Sequence, residues 1–358
     1  MTQITLSPIM LEALRAANTK SFKINPVLDY DRPARIPSGS IALDYALGGG
    51  WPRGRVSIMR GDESFGKSTL ATLMAAYVTS HPSEMKNGGL VAYIDVEGTY
   101  DPHWAECLGI DPSRIALIQP ERGEDALETV LALVRANCMD AIIYDTIAAT
   151  ALTAVMEGSM DDNHVGLLAR KLGLNFFPAL TPALRKSDVA VILINQMREK
   201  IGVTHGSNES QPGGRALRHA ASINVLVYKK PERMPLDYKK PQVGMKLFAR
   251  TTKNKTAPAR LEAEVTLNTQ HGYFGVSLEP ELAAVGRMLG VFVREDGSPI
   301  SGSCSWFFDG AKLATGEKAV TAELMTNSAL CGEVEARVRE AIALGTAGSD
   351  GIIMGDEE

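Results

Sequence analysis

The sequence has little that would place it in a membrane, in a secretory route or around a structural metal. Its longest apolar stretches, such as Leu90 to Ile94 and Val189 to Ile194, fall far short of the roughly 20 residues that span a bilayer. The N-terminus shows no charged segment followed by an apolar run, so no secretory leader is expected and a cytoplasmic protein is. Only four cysteines occur, Cys107, Cys138, Cys304 and Cys331, and none has CxxC spacing, which argues against a zinc site or a disulfide framework. Positive charge is also in deficit. The formal net charge is -5, which taken alone argues against a dedicated nucleic-acid-binding domain. No internal repeat of solenoid period is present.

What is there is a chain of 358 residues, long enough for one large domain or two. Its basic residues are concentrated: Lys229, Lys230, Arg233, Lys239, Lys240, Lys246, Arg250, Lys253 and Lys255 face only Glu232 and Asp237 over the same stretch. Acidic residues gather elsewhere, as in the closing Asp356-Glu357-Glu358, so a local basic surface can coexist with an acidic whole. The short apolar runs Val56–Met59, Leu90–Ile94, Ile115–Ile118, Ala141–Tyr144 and Val189–Ile194 read as buried parallel strands. Helical spacing over Lys67–Ser80 and Glu124–Ala136 alternates with them, as βαβ units require. The fold class is therefore α/β, a mostly parallel twisted sheet flanked by helices, with Ile223–Tyr228, Val243–Thr252 and Arg260–Leu267 pairing as hairpins at one edge.

Four segments are expected. Residues 1–35 form an appendage: a short helix from Ser7-Pro8, with Ile9, Leu11 and Leu14 as its apolar face, then an extended stretch from Ser21 to Pro33. So short a helix is unstable alone and must dock on its own core or on a neighbouring protomer. Residues 36–270 form the core, and residues 271–345 a small C-terminal α+β domain with helices at Pro280–Leu289 and Gly332–Leu344 and a turn-rich stretch around Trp306-Phe307-Phe308. Residues 346–358 form an acidic tail expected to be flexible.

The most specific local pattern is Gly61-Asp62-Glu63-Ser64-Phe65-Gly66-Lys67-Ser68, which matches GxxxxGK[ST] between a strand and a helix. Glycines let successive N–H groups turn inward around phosphates, Lys67 adds a point charge, and the Ser68 hydroxyl ligates magnesium. Asp145, after the strand Ala141–Tyr144, stands where a second carboxylate would hold that metal, or where a strand-terminal aspartate caps a turn. Glu97 follows another strand, at the carboxyl edge where ligands bind in open parallel sheets. It reads either as a general base for an in-line water or as a solvated glutamate.

Eight stretches in order, the phosphate loop among them, carry a resemblance: IPSGSIALDYALGGGWPRGR, GDESFGKST, YIDVEGTYDPHWAECLGID, IIYDTIAA, MEGSMDDNHVGLLAR, LINQMREKIGV, GGRALRHAAS and TKNKTAP. Over about Ile36 to Leu267 the chain resembles the bacterial RecA family of recombinases, as a divergent member of bacterial or phage origin. The resemblance implies a P-loop NTPase core, ATP and magnesium as cofactors, and a DNA-dependent ATPase that forms helical filaments on single-stranded DNA and pairs it with homologous duplex. The resemblance also implies single-strand-binding and loading proteins as further partners, and work at the nucleoid or, for a phage protein, in the host cytoplasm. The other reading of such a core is a ring-forming hexameric helicase or motor.

Carried over position by position, the resemblance makes Glu97 the catalytic glutamate and Gln196 the residue that senses nucleotide and relays its state to the DNA loops. It assigns Thr69 to the phosphate loop, and Asp101 and Trp104 to the adenine, where Trp104 keeps an aromatic face or is simply a core aromatic. Lys253 and Lys255 match a pair that reaches the ATP of the neighbouring protomer, as an arginine finger does, although alone they would read as surface lysines. Two segments match the DNA loops, Glu157 to Val165 and Met197 to Gly214. Arg170, Met197, Arg198, Lys200, Ile201, Gly202, Val203, Gly213, Gly214 and Arg215 are the implied DNA-binding residues. The chain departs from the family at Phe177, where an arginine that contacts DNA is typical, at Arg215 in place of an asparagine, and at His205 in place of a phenylalanine. Neither end is expected to align closely.

Overall fold

The computed structural model describes residues 33–157, 166–199, 209–210, 212–230, 244–270 and 273–345. The chain divides into two compact units, Met1–Ala34 and Arg35–Glu358. The expected N-terminal helix, the tail 346–358, most of the first loop, and Lys200, Ile201, Gly202, Val203 and His205 of the second lie outside the described residues.

The second unit opens with a two-residue strand β1 (Arg35–Ile36), a helix α1 (Ile41–Leu47) and a strand β2 (Trp51–Pro52) that pairs antiparallel with β1. Helix α1 is seven residues long, too short to show in the periodicity of the sequence, but its ends are well marked. Ser40 accepts from Leu43 N at the start, and Gly48 turns into the left-handed region at the end. Six strands then run parallel: β3 (Val56–Gly61), β4 (Val91–Asp95), β5 (Ile115–Ile118), β6 (Ala141–Asp145), β7 (Ala190–Gln196) and β10 (Ile223–Tyr228). Between β7 and β10 lies a two-residue antiparallel pair, β8 (Arg198–Glu199) with β9 (Glu209–Ser210). Strands β11 (Gly244–Asn254), β12 (Glu262–Gln270) and β13 (Tyr273–Val276) add antiparallel at one edge. Among the described residues the sheet has nine strands in the order β13-β12-β11-β10-β3-β7-β6-β4-β5. The strands expected from the sequence are all present, Ile115–Ile118 and Ile223–Tyr228 with the expected ends and the others with ends shifted by at most three residues.

Both faces of this sheet are covered, which explains why its strands read as continuous apolar runs. Met59, Tyr93, Ile143, Ile192 and Ile194 pack on one face with α1 and α2 (Lys67–Ser80). Ile58, Ile94, Ile142, Val191 and Leu193 pack on the other with α4 (Gly123–Ala136), which follows the short α3 (Pro102–Cys107). Each such side chain, fully buried, contributes about 1.5–3 kcal/mol, against a net margin of only about 5–15 kcal/mol for a domain.

After β6 come a short helix α5 (Thr153–Met156), then α6 (Leu167–Lys171) and α7 (Phe177–Leu184), joined by a wide π turn over Leu172–Phe176. Helix α8 (Gly214–Ala220) precedes β10. The C-terminal part holds α9 (Leu278–Met288), the hairpin β14 (Ser305–Phe308) and β15 (Ala311–Thr315), α10 (Glu317–Thr326) and α11 (Ser328–Gly345). The stretch around Trp306 is thus a hairpin and not merely turn-rich. Asp309 and Gly310, both at positive φ, form the two-residue turn that an Asp-Gly pair signals. No helix of the described residues is long and apolar enough to cross a membrane.

One buried carboxyl joins this C-terminal part to α1. Glu281 of α9 accepts from Ala42 N at 3.1 Å, and Ser40 Oγ lies 2.9 Å from both of its oxygens. Burial pushes its pKa from 4.5 up to about 8. A carboxyl that holds its proton more tightly folded than unfolded costs stability as pH rises through that interval, because only the unfolded chain sheds the proton freely. Glu281→Gln has no proton to lose. The wild-type protein should therefore lose stability relative to this variant between about pH 5 and pH 8, as read from urea midpoints across that range; a constant difference would remove Glu281 from the balance.

Candidate functional site

The parallel register sets four strand ends side by side. Gly61 of β3 lies opposite Gln196 of β7, and Asp95 of β4 opposite Asp145 of β6. Because side chains on parallel strands meet only at matched positions, the phosphate-loop glycine, the glutamine and the two aspartates share one edge. Glu97 follows directly from β4.

The phosphate loop is shaped by its contacts with β10 and β11. A Cβ on Gly61 would lie 2.1 Å from Val227 O, and one on Gly66, at φ +86°, would lie 2.6 Å from Leu247 Cδ2. Ser64 also has positive φ. The loop then enters α2, with Leu70 N donating to Gly66 O at 2.9 Å. Lys67 is buried and its ammonium donates to Asp62 O at 2.6 Å, which holds it curled within the loop. Burial lowers its pKa, and Asp145, Glu97, Asp62 and Glu63 oppose that shift. Asp62, Glu63 and Ser64 are exposed, Phe65 and Thr69 are half-buried, and the Lys229 ammonium sits 5.5 Å above the Phe65 ring.

Two carboxylates are held in different ways. Asp145 is buried, and its Oδ2 accepts from Ser68 Oγ and Tyr93 OH, each at 2.7 Å. Its Oδ1 is buried with no hydrogen-bond partner. Desolvation raises the Asp145 pKa, and the Ser68 and Tyr93 hydrogen bonds pull it back. An oxygen left without a donor, beside a serine hydroxyl at the mouth of a phosphate loop, fits a divalent cation. Glu97 accepts through Oε1 from Gln196 Nε2 at 2.8 Å and from Thr146 Oγ1 at 3.0 Å.

Three contributors escaped the sequence reading. Tyr93 looked like one more apolar strand residue, yet its phenol orients Asp145. Burial and then the nearby Asp145 charge raise its pKa, so it stays protonated and remains a donor. Thr146 needed the chain after β6 to turn back to Glu97. Asp95 ends β4 two residues before Glu97 but serves as scaffold: its oxygens accept from Gly98 N, Thr99 N, Tyr100 N and Gln119 Nε2.

The remaining candidates lie around this centre. Asp101 caps α3 by accepting from Trp104 N at 3.1 Å. Trp104 is half-buried and meets Phe274 of β13 edge-on, ring centroids 5.9 Å apart. Met197 N donates to Gly61 O at 3.2 Å, so the second loop starts against the phosphate loop, and its far end is tied to the sheet by Asn195 Nδ2 donating to Pro212 O. Gly213 caps α8, and a Cβ on Gly214 would lie 3.3 Å from Ala169 Cβ, so α6 and α8 pack closely. Arg170 and Arg215, on these two helices, are exposed. Arg198 opens β8. Phe177 is buried and packs on Phe176, centroids 5.2 Å apart, which is where an apolar residue in place of an arginine belongs.

Lys253 and Lys255 are not at this edge. Asn224 pairs with both Lys253 and Ile58, and Lys255 N donates to Ser222 O while Ser222 N donates to Val56 O. Lys255 is therefore level with the start of β3, about 16 Å along the strands from Gly61. The Lys253 ammonium donates to Arg218 O at the end of α8, at 2.6 Å. Its pKa is lowered by burial first and then by the charge of Lys255.

Against known proteins, a model of the RecA N-terminal domain matches residues 29–273. The chain is 39% identical over 307 residues to protein RecA of Thermus aquaticus, covering 85% of this chain and 84% of the relative. To protein RecA of Thermus thermophilus it is 40% identical over the same length. To protein RecA of Mycobacterium avium it is 36% identical over 357 residues, 98% of this chain and 96% of the relative. This last alignment extends over both ends of the chain.

A hydroxyl donating to a buried carboxylate contributes about 1–3 kcal/mol when the acceptor has no replacement. Tyr93→Phe should lower unfolding free energy by that amount in urea titration; an unchanged midpoint would show that Asp145 does not depend on the phenol.

Proposed function

This chain belongs to the RecA family, and from that premise we propose how its residues divide the work. It is an ATP-dependent DNA recombinase of recombination and repair, and a DNA-dependent ATPase. The observation that carries the assignment of residues is the shared edge at which Gly61, Gln196 and Asp145 meet Glu97.

The phosphates of ATP lie in the loop Gly61–Ser68, continued by Thr69 into α2, with Lys67 released from Asp62 O to the β- and γ-phosphates. Ser68, and Asp145 through water, would hold magnesium, which would supply positive charge against those phosphates. Glu97 takes the proton of the water that attacks the γ-phosphorus, as ADP leaves. Gln196 and Thr146 orient that carboxylate. Asp101 and Trp104 flank the base, with Phe274 buttressing the indole edge.

Lys253 and Lys255 serve the nucleotide of the next protomer. Their distance along the strands from their own phosphate loop supports this, as does the mutual repulsion of two ammonium groups that an anionic phosphate would relieve. Nucleotide then sits at a subunit seam, and repetition of a head-to-tail seam yields an open helical filament. Residues 1–35 form the bridging segment, 36–270 the ATPase core, 271–345 a C-terminal domain and 346–358 an acidic tail. The loops around Glu157–Val165 and Met197–Gly214 grip single-stranded DNA by its backbone, Arg170, Arg198, Lys200 and Arg215 on phosphates and Ile201 and Val203 between bases, around the glycine hinges Gly202, Gly213 and Gly214. The exposed bases sample a duplex, so sequence is read by pairing. We place this activity in the cytoplasm, at the nucleoid.

Four measurements test this reading. Lys67→Ala should abolish nucleotide binding. Lys253→Ala should bind nucleotide as an isolated protomer yet lose DNA-stimulated hydrolysis on the order of 10³-fold; normal stimulated turnover would defeat the trans assignment. Replacing Arg170 and Arg215 together by Ala should lower the salt slope of single-strand affinity by about 1.4. Electron microscopy with ATP and single-stranded DNA should show open filaments, and discrete hexameric rings would favour a helicase.

A further inference from the structure

The lysine pair can act on a neighbour only if the turn that carries it is held in place. Asn254, between the two lysines, folds that turn: its Oδ1 accepts from Thr256 N and Thr256 Oγ1 at 2.9 Å and from Ala257 N at 3.0 Å. Its Nδ2 donates to Leu47 O at 3.0 Å. A second residue grips the same turn from outside. Arg35 Nη2 donates to Thr256 O and Thr256 Oγ1, both at 2.9 Å, while Nη1 donates to Leu47 O at 3.1 Å and Gly50 O at 2.9 Å.

This geometry needs a guanidinium. Leu47 O belongs to the last turn of α1, where carbonyls lack helical partners and carry partial negative charge. Thr256 lies more than two hundred residues away in sequence. One planar fork with parallel donors reaches both places at once, whereas the single ammonium of a lysine presents a point charge. The stem of Arg35 also needs room, since a Cβ on Gly49, at φ +106°, would lie 3.2 Å from Arg35 Cδ.

We propose that Arg35 is a positioning residue for the DNA-dependent ATPase: through Thr256 it fixes the turn that presents Lys253 and Lys255 across the protomer seam. This rests on the trans reading of the lysine pair. The Arg35 guanidinium binds Leu47 O, Gly50 O and Thr256, all outside the phosphate loop, so its loss is expected to leave the nucleotide site of its own protomer intact. The damage appears only at the neighbour, because a turn left to wander must be ordered at assembly and misplaces charge at the γ-phosphate.

Complementation between full-length variants tests this. Arg35→Ala should bind a fluorescent ATP analogue as the wild type does, yet lose DNA-stimulated turnover by at least about tenfold. Mixed in equal amounts with Glu97→Gln, which has an intact lysine turn but no base, it should recover about a quarter of wild-type turnover, since one seam in four joins the two intact halves. No recovery overturns the proposal, as does wild-type turnover of Arg35→Ala alone. A parallel mixture of Lys253→Ala with Glu97→Gln separates the two readings. Recovery there without recovery for Arg35→Ala overturns only the positioning role, while failure of both mixtures overturns the trans assignment beneath it. Arg35→Lys keeps the charge without the fork and serves if the alanine variant does not fold; the same complementation is expected, and wild-type turnover by itself again overturns the role.

Discussion

The structure depends on one alignment, the parallel register that ends β3, β7, β6 and β4 along a common edge. Strand pairing is a constraint with period two: a slip of one residue would exchange the faces of a whole strand and move its terminal side chain off the edge. Here Ile58 and Met59, or Ile142 and Ile143, are buried against different layers. The burial of both faces therefore fixes register, and register fixes the distance between Asp145 and Ser68. Packing energy spread over many apolar residues is in this way converted into the placement of a few polar ones, which by themselves contribute little to stability.

On the trans reading of the lysine pair, the same sheet explains why one chain would leave its site incomplete. Parallel strands have two unlike ends, and β11 turns back beside β10 to deliver Lys253 and Lys255 near the end away from the phosphate loop. The separation is built into the topology and no side-chain motion closes it. A protomer thus carries an acceptor edge and a donor edge, a head-to-tail arrangement that extends without closing unless curvature brings it round. Coupling of nucleotide to assembly then follows from topology alone.

Much of the site was legible in the sequence because it consists of strand ends followed by polar residues, and buried parallel strands are the clearest pattern in an α/β chain. The phosphate loop, Asp145 and Glu97 were found that way. Gln196 and the lysine pair were not: nothing in their spacing sets them apart from other polar residues, and only resemblance singled them out. Tyr93 was hidden because an aromatic in an apolar strand looks like packing until its hydroxyl is given an acceptor. Arg35 was hidden for a different reason. Its partners lie on a helix end and on a turn far along the chain, and no local pattern encodes such a meeting. Helix α1 and the π turn before α7 were missed because elements of one or two turns leave too few apolar positions to establish a period.

The second loop is anchored at both ends to groups that matter for nucleotide. At its start, Gln196 donates to Glu97 and Met197 N donates to Gly61 O. At its finish, Gly213 begins α8, and the last turn of α8 holds the Lys253 ammonium through Arg218 O. A helix C-terminus attracts a cation through its free carbonyls, but more weakly than a phosphate does. On the trans reading, Lys253 must give up Arg218 O before it can serve a neighbour, so any displacement of α8 that weakens this bond lowers the cost of the transfer. On the proposed reading, DNA held at this loop would act on α8 through the backbone, and on Glu97 through Gln196. One ligand would thereby act on the proposed base in its own protomer and on the charge proposed for the next, with no need for a path through the apolar core between them.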